Sequence, residues 1–402
     1  MDLTITRRAE ELRTALLNFM QEHVYPSEAV YAQQVRASGD PYHAPPIMEE
    51  LKAEAQRRGL WNLFLPDADW GPGLTNLEYA PLAEVMGRSS IAPEACNCSA
   101  PDTGNMEILA QFGTAEVKER FLRPLLEGRA RSGFSMTEPA VASSDATNLQ
   151  TRIAPDDDGY VVNGRKWWTT GAMDARTAFL IVLGVSDPDA APHRRQSMVV
   201  VPIDTPGVVV ERGLSVFGYD MGRDGEIHYD SVRVPRAHLL GEEGGGFDIG
   251  QARLGPGRIH HAMRSIGMAE RAFDLMCERA HERRPFGKTL AEQGVVQEWI
   301  AEARVMIEQA RLLVLKTAWM VDNVGAKAAR TEIGAIKLVA TRTASWVVDR
   351  AIQTFGGAGV SQDTPLAEMA AMARVLHIAD GPDEVHRMAI ARRELRRYEV
   401  GG

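Results

Sequence analysis

Hydrophobic residues repeat with a helical period near both ends of the chain and with a shorter period in the middle. Near the N-terminus, Leu12, Leu16 and Phe19 recur at spacings of four and three residues. After Phe247 the same period returns in longer segments. One stripe at spacings of three and four comprises Val296, Ile300, Ala303, Ile307, Ala310 and Val314. These patterns predict short N-terminal helices and longer C-terminal helices that could form a bundle.

The middle of the chain has a different pattern. Short β-branched runs at 179–182, 198–201 and 208–210 are separated by clusters of Asp, Pro and Gly. Such runs are typical of an antiparallel sheet or a small barrel. The chain is therefore predicted to have three domains. They are an N-terminal α-helical domain (1–131), a middle β domain (132–245) and a C-terminal helical bundle (246–402).

Two β-like segments of the middle region carry candidate binding residues. The first, from Phe134 to Thr137, is followed by a Glu-Pro turn, and the second runs to Thr170 through Trp168 and Thr169. Within the second, Asn-Gly at 163–164 predicts a hairpin turn. The pattern brings Thr137, Trp168, Thr169 and Thr170 together, and their rings and hydroxyls suit a flat heterocycle with polar edges. The alternative is an ordinary sheet with tryptophan in its core.

Composition excludes several classes of protein. The 402 residues carry a formal net charge of -9, which argues against non-specific binding of nucleic acid. No apolar run reaches the roughly 18 residues that a membrane span requires. The cysteines, at positions 96, 98 and 277, are too few and wrongly spaced for a zinc site or a disulfide framework, so no metal is expected. The first residues lack the pattern of a signal peptide, and a cytoplasmic location is expected.

Asp380 is the candidate acid–base residue. It lies between two helical patterns, at 366–379 and 383–398, beside a Gly-Pro hinge. An aspartate in this position is also a good helix N-cap, so both interpretations stay open. The glycine-rich segment at 355–360 is similarly ambiguous. It can end a helix, or it can allow a backbone to approach a ligand closely.

Five motifs in a fixed order resemble the acyl-CoA dehydrogenase family over essentially the whole chain. They are Thr137-Glu-Pro139, Asn163-Gly164 with Trp168-Thr-Thr170, Arg283-Arg-Pro-Phe-Gly287, Gln353-Thr-Phe-Gly-Gly357, and a carboxylate near the C-terminus. Segments 102–106, 138–145, 255–261 and 379–386 resemble one branch in particular. That branch contains the dehydrogenase modules of acyl-CoA dehydrogenase family members 10 and 11.

The resemblance implies an α+β fold with FAD bound between a middle antiparallel β domain and a C-terminal four-helix bundle. By the same resemblance, FAD is lined by Phe134, Met136, Thr137, Trp168, Thr169 and Thr170. Across a subunit interface it is contacted by Arg283, Phe286, Gln353, Gly356 and Gly357. Ser144 and Arg258 are placed along the CoA arm, although a core-edge ion pair is an equal alternative for Arg258. A homodimer or homotetramer is therefore expected.

The implied reaction is α,β-dehydrogenation of an acyl-CoA thioester to the trans-2-enoyl-CoA, as in fatty acid β-oxidation. Asp380 would remove the α-proton, the β-hydride would go to the flavin, and an electron-transferring flavoprotein would be the acceptor. The family usually has Glu as this base, whereas nitroalkane oxidases of the same fold use Asp. The alternatives are therefore an FAD oxidase of the nitroalkane- or acyl-CoA-oxidase type, or a non-catalytic flavoprotein that binds acyl-CoA.

Overall fold

The structure is a computed structural model that describes residues 1–399, without the side chains of 254–256. Its contacts divide the chain into two compact units. Unit 1 comprises residues 1–26, 74–93 and 258 onward, and unit 2 comprises 27–73 and 94–257. The bounds of the three predicted domains stay a prediction. In the described part of the chain, no helix is both long enough and apolar enough to cross a membrane.

Helices form both ends of the chain, as the periodicity predicts. The N-terminal helices are α1 (Arg7–Phe19), α2 (Tyr25–Ser38), α3 (Pro46–Arg57), α4 (Asn76–Met86), α5 (Ala92–Ala95), α6 (Asp102–Phe112), α7 (Ala115–Val117) and α8 (Arg123–Leu126). The C-terminal helices are α9 (Gly246–Glu282), α10 (Gly294–Val324), α11 (Arg330–Phe355), α12 (Leu366–Leu376) and α13 (Asp383–Arg396). In unit 1, α11 packs against α10, α12 and α13, while α4 packs against α1 and α10.

The predicted stripe of α10 is largely buried. Val296, Ala303, Ile307, Ala310 and Val314 all lie in the core, because their spacing places them on one face of the helix. Arg311 borders this stripe and contacts the carboxylates of Glu84 and Glu270.

The middle region folds into one sheet of seven strands within unit 2. They are β1 (Arg131–Ser135), β2 (Arg152–Asp156), β3 (Gly159–Thr169), β4 (Thr177–Val185), β5 (Gln196–Pro202), β6 (Val208–Val216) and β7 (Tyr219–Pro235). The order is β1-β4-β2-β3-β7-β6, with β5 also paired to β4. Most pairs are antiparallel, as predicted, but β1 and β2 each run parallel to β4. The core of the sheet is built from β-branched and aromatic side chains such as Ile153, Tyr160 and Val182.

The predicted hairpin at Asn163-Gly164 is wrong. Strand β3 runs straight through both residues, and the turn lies earlier, between Asp156 of β2 and Gly159 of β3. The pairing of β3 with β7 shifts register between Val162 and Gly164, which indicates a bulge. Gly164 has φ +154, and a Cβ at this position would lie 2.5 Å from the Thr151 hydroxyl oxygen. The glycine therefore allows a close backbone approach and does not form a turn.

A buried ion pair connects the two predicted binding segments. Lys166 Nζ lies 2.9 Å from Glu138 Oε1 and also donates to the carbonyl of Met136 at 2.7 Å. The Glu138 carboxylate accepts two further bonds, from the backbone N–H groups of Gln150 and Thr151. Burial lowers the pKa of Lys166 to about 8. The Glu-Pro motif thus has a structural role, because Glu138 holds the segment after β1 against β3.

We expect Lys166→Met to destabilise the protein by about 3–5 kcal/mol, because a buried carboxylate loses its cation. The measurement is the urea midpoint followed by circular dichroism. Removing both charges, in Lys166→Met/Glu138→Gln, should recover part of the loss. Arg123→Met, which breaks the exposed Arg123–Glu119 pair, serves as the control and should cost less than about 1 kcal/mol. Equal losses in Lys166→Met and in the control would contradict the role of this pair.

Candidate active site

The two predicted binding segments of unit 2 do lie side by side. The backbone N–H of Trp167 donates to the carbonyl of Thr137 at 3.0 Å, which joins β3 to the segment after β1. Phe134, the fourth residue of β1, is buried, and the Arg253 guanidinium lies 3.8 Å from the centre of its ring. Met136 and Thr137 are half-buried. The predicted proximity of the two segments is therefore confirmed.

The end of β3 turns three consecutive side chains into different environments. Trp168 has a positive φ of 50° and keeps 39% of its surface exposed, so the face of its indole is available. Thr169 is fully buried, with its hydroxyl 3.2 Å from that of Ser135. Thr170 is half-buried and donates to Asp224 Oδ1 at 2.6 Å. Trp168 and Thr170 are thus accessible to a ligand, while the Thr169 side chain belongs to the core.

Asp224 was not identified from the sequence. Its carboxyl is largely enclosed, and burial raises its pKa although the bond from Thr170 acts in the opposite direction. It lies in β7, beyond the segments that carry the motifs. It faces Thr170 only because the antiparallel pairing brings Gly225 opposite Thr169. That cross-strand relation cannot be read from local spacing.

In unit 1, a short turn between α12 and α13 carries Asp380. The turn is closed by a hydrogen bond from the backbone N–H of Asp383 to the carbonyl of His377, at 3.1 Å. Asp380 and Gly381 both have positive φ, of 55° and 95°. The N-cap interpretation of Asp380 is wrong, because the residue in the cap position of α13 is Pro382. The Asp380 carboxylate lies instead against a ring, with Oδ2 3.4 Å from His261 Nε2.

Three side chains from three helices hold the main chain of this turn. Arg258 of α9 donates to the carbonyl of Asp380, at 3.3 Å from Nε and 3.2 Å from Nη2. His386 of α13 contacts the same carbonyl through Nε2 at 3.2 Å. Lys337 of α11 donates to the carbonyl of Gly381 at 3.0 Å. Neither interpretation of Arg258 anticipated this contact, because its polar partner here is a main-chain oxygen.

The charge state of His386 follows from its surroundings. Burial, with the positive charges of Arg258 and Lys337 nearby, lowers its pKa to about 4. The ring is therefore neutral at pH 7. Because the carbonyl of Asp380 can only accept, Nε2 must carry the hydrogen in this contact.

A chain of three side chains fixes the two ends of the turn. The Ser345 hydroxyl lies 2.8 Å from His377 Nε2, and His377 Nδ1 lies 2.7 Å from Asp383 Oδ2. This connectivity matches that of a serine hydrolase triad. However, Ser345 lies in the middle of α11, where backbone N–H groups are committed to the helix and cannot stabilise an oxyanion. The chain therefore positions the turn.

The residues predicted to reach FAD across a subunit interface all lie exposed on unit 1. The set comprises Arg283, Phe286, Gln353, Gly356 and Gly357. Phe286 is completely exposed and has a positive φ of 52°. The ends of α9 and α11 are neighbours, since the Arg279 guanidinium lies 5.4 Å from the centre of the Phe355 ring. Ser144 is exposed in the loop before β2, in unit 2.

Three models of known protein families match segments that together cover most of the chain. The acyl-CoA dehydrogenase N-terminal domain matches residues 6–129, the middle domain matches 133–232 and the C-terminal domain matches 244–395.

Among curated proteins, the chain is similar to "Probable acyl-CoA dehydrogenase FadE2" of Mycobacterium tuberculosis, at 59% identity over 99% of this chain and 98% of that protein. It is also similar to human acyl-CoA dehydrogenase family member 11, at 50% identity over 97% of this chain. The match spans about half of that longer relative, 51% of its length.

Two solved structures are similar over nearly the whole chain. A protein from Mycobacterium abscessus has a TM-score of 0.95 and 49% identity, covering 98% of this chain and 100% of its own. Butyryl-CoA dehydrogenase from Megasphaera elsdenii has a TM-score of 0.83 and 27% identity, with the same coverage. These matches support FAD as the cofactor. The exposed indole of Trp168 and the hydroxyls of Thr137 and Thr170 suit a flat, polar-edged ring system.

We expect His386 to make the protein sensitive to acid. Its pKa is depressed in the folded state, so its contribution to stability is complete above pH 6.5 and is lost as the pH falls toward about 4. The shift corresponds to at most about 3 kcal/mol. His386→Gln keeps a donor for the Asp380 carbonyl but cannot titrate. Melting temperatures of the parent and the variant, recorded from pH 7 to pH 4, should therefore diverge as the pH falls, and parallel curves would contradict the assignment.

Proposed function

The chain belongs to the acyl-CoA dehydrogenase family, and we propose that Asp380 is the base that removes the α-proton of its acyl-CoA substrate. The protein is an FAD-dependent oxidoreductase that acts on the CH–CH group of acyl-CoA. When bound, FAD supplies the acceptor for the hydride that leaves the β-carbon.

The turn that carries Asp380 is the observation on which the proposal rests. A non-glycine residue with positive φ is uncommon and persists where the surroundings hold it in place. Arg258, Lys337 and His386 supply that restraint through main-chain carbonyls, while the carboxylate lies against His261. A carboxylate that is held rigidly and remains partly exposed, at 21%, is suited to accept a proton from a ligand.

The restraint of the main chain by Arg258, His386 and Lys337 also matters for the length of the Asp380 side chain. Aspartate reaches one methylene less far than the glutamate expected at this position, so its backbone must be placed more accurately. Two donors on the Asp380 carbonyl and a third on the Gly381 carbonyl fix the two peptide groups that directly follow the Asp380 Cα. We infer that this restraint offsets the missing methylene, because a misplacement of about 1 Å can cost a hundredfold in rate.

In unit 2, we propose that Trp168 and Thr170 contact the isoalloxazine ring and that Phe134, Met136 and Thr137 shape the strand beside it. The exposed indole face and the polar Thr170–Asp224 pair support this assignment. For Thr169 the proposal covers only its backbone, because its side chain is enclosed. Ser144 remains the proposed CoA-arm residue, on the basis of family resemblance and its exposure. Arg258 is reassigned to positioning the Asp380 turn.

We further propose a homodimer or homotetramer that completes the FAD site. Phe286 is wholly exposed at a strained position, and nothing lies within 4 Å of a Cβ built on Gly356 or Gly357. Apolar side chains on α10, such as Val305 and Leu312, are also exposed. An electron-transferring flavoprotein is the proposed electron acceptor, on family resemblance alone.

An FAD oxidase is the second candidate, and one observation favours it. The base position holds Asp, as in the nitroalkane oxidases of this fold. An oxidase would reoxidise within seconds in air after reduction by its substrate, whereas a dehydrogenase would depend on an added electron acceptor.

Asp380→Asn should retain FAD and lose turnover by at least about a thousandfold, because an amide cannot accept the α-proton. The measurement is anaerobic bleaching of the flavin band during titration with saturated acyl-CoAs of increasing length. Asp380→Glu serves as the comparison, since it restores the carboxylate and should keep measurable activity. Bleaching of Asp380→Asn at the parent's rate would remove Asp380 from the mechanism. A flavin that nitroalkanes bleach and acyl-CoAs do not would favour the oxidase.

Phe286→Ala should weaken both assembly and cofactor retention if this side chain inserts into a neighbouring subunit. Sedimentation velocity and the FAD content after gel filtration test the two effects together. Phe217→Ala is the matched control, because Phe217 is also highly exposed but lies in the β6–β7 turn of unit 2. Equal behaviour of the two variants would contradict the proposed interface.

A further inference from the structure

We propose that His261 takes from Asp380 the proton that Asp380 has removed from the substrate, and passes it to solvent. This inference rests on the proposed function, because it requires Asp380 to be the base. His261 lies at the end of segment 255–261, which resembles one branch of the family, but neither the motif nor the family comparisons give this residue a role.

The geometry places the imidazole against the carboxylate. His261 Nε2 lies 3.4 Å from Asp380 Oδ2, and the side chains are 29% and 21% exposed. His261 follows Arg258 by three residues on α9, so both project from one face of the helix. Arg258 holds the main chain at Asp380 while His261 meets its carboxylate. One helix face therefore supplies both the restraint and a proton acceptor.

Other titratable and charged groups face the turn from each neighbouring helix, but they contact different atoms. Arg258 and His386 contact the carbonyl of Asp380, and Lys337 contacts that of Gly381. The remaining groups near the turn are His377, Asp383, Glu384, Arg387 and Arg393. His377 is engaged by Asp383 and Ser345. His386, with a pKa of about 4, cannot hold a proton near neutrality.

The neighbouring histidine provides an internal contrast. His260 is buried, lies edge-on to Tyr79 with 4.8 Å between ring centres, and has a pKa held well below the ordinary value by burial. Its burial denies it the exposure that a relay to solvent needs. His261 is partly exposed and meets the carboxylate, because adjacent helix positions differ by about 100° around the axis.

Each turnover creates the need for such a relay. The α-C–H bond breaks and an O–H bond forms on Asp380. The electron pair of the α-C–H bond stays in the substrate and forms the new C=C bond, while the β-hydride leaves with the pair of its own C–H bond. Asp380 must then lose its proton before the next substrate can react. In the proposed step the O–H bond breaks, an N–H bond forms at His261 Nε2, and the imidazolium releases a proton to water. Imidazole suits this step because its protonation changes near neutral pH.

The relay predicts a specific pH dependence. At a pH where His261 is already protonated, it cannot accept a proton and its charge makes Asp380 a weaker base. Turnover should therefore fall on the acid side through an ionisation that disappears when His261 is replaced. A histidine with a purely structural role would not produce this fall in turnover on the acid side.

The decisive experiment measures the exchange of the substrate α-hydrogen with solvent. The FAD-loaded enzyme and a saturated acyl-CoA are incubated anaerobically in D2O, and deuterium in the recovered thioester is followed by mass spectrometry. His261→Ala should bleach flavin in a single turnover within about threefold of the parent, but should exchange the α-hydrogen at least about tenfold more slowly. Added imidazole should restore exchange in His261→Ala and leave the parent unchanged.

Two further variants keep the test interpretable. His261→Gln preserves a hydrogen-bonding side chain but cannot titrate, so it should exchange as slowly as His261→Ala and resist rescue by imidazole. His281→Gln replaces an exposed histidine near the end of the same helix and should behave as the parent.

The outcomes separate the relay from the proposed function. If the parent bleaches and His261→Ala exchanges at the parent's rate, the relay is wrong and the dehydrogenase survives. If bleaching and exchange fall together and imidazole restores neither, His261 is structural and the relay is also wrong. If no acyl-CoA bleaches the parent, the proposed function fails and the relay falls with it.

Discussion

The restraint of the short turn between α12 and α13 is the constraint on which the chemistry of this protein depends. A carboxylate that removes a weakly acidic proton has to be held accurately, yet it cannot be neutralised by the groups that hold it. The structure meets both conditions by clamping the main chain at Asp380 and Gly381. The donors come from α9, α11 and α13, so the turn is positioned by the packing of the whole helical unit.

This arrangement brings two cations close to the base. Arg258 and Lys337 donate hydrogen bonds to carbonyl oxygens and so stabilise a strained backbone. Burial depresses the pKa of His386, and the charges of Arg258 and Lys337 act in the same direction. Because that histidine is neutral near pH 7, it adds no further charge beside the base while it donates to the Asp380 carbonyl. His261 is left as the imidazole that meets the carboxylate.

The sheet of unit 2 relies on a comparable device. Buried charges there connect segments that are distant in sequence. Lys166 and Glu138 join the segment after β1 to β3, and Arg131 lies against Asp102 to hold α6 beside β1. Each pair is costly to bury, and each is compensated by additional hydrogen bonds from backbone or hydroxyl groups. Residues that stand out as motifs, Glu138 and Asp102, therefore support the site and do not form it.

The order of helical and β regions, the buried stripe of α10 and the family can be predicted from the sequence, because periodicity and ordered motifs are local or collinear properties. The position of Asp380 at a helix boundary can be predicted in the same way. The bulge at Gly164, the burial of Thr169 and the contact of Asp380 with His261 become visible in the folded chain alone. Each depends on contacts between residues far apart in the chain. Thr151 approaches Gly164, Ser135 meets Thr169, and α9 is brought against a turn more than a hundred residues later.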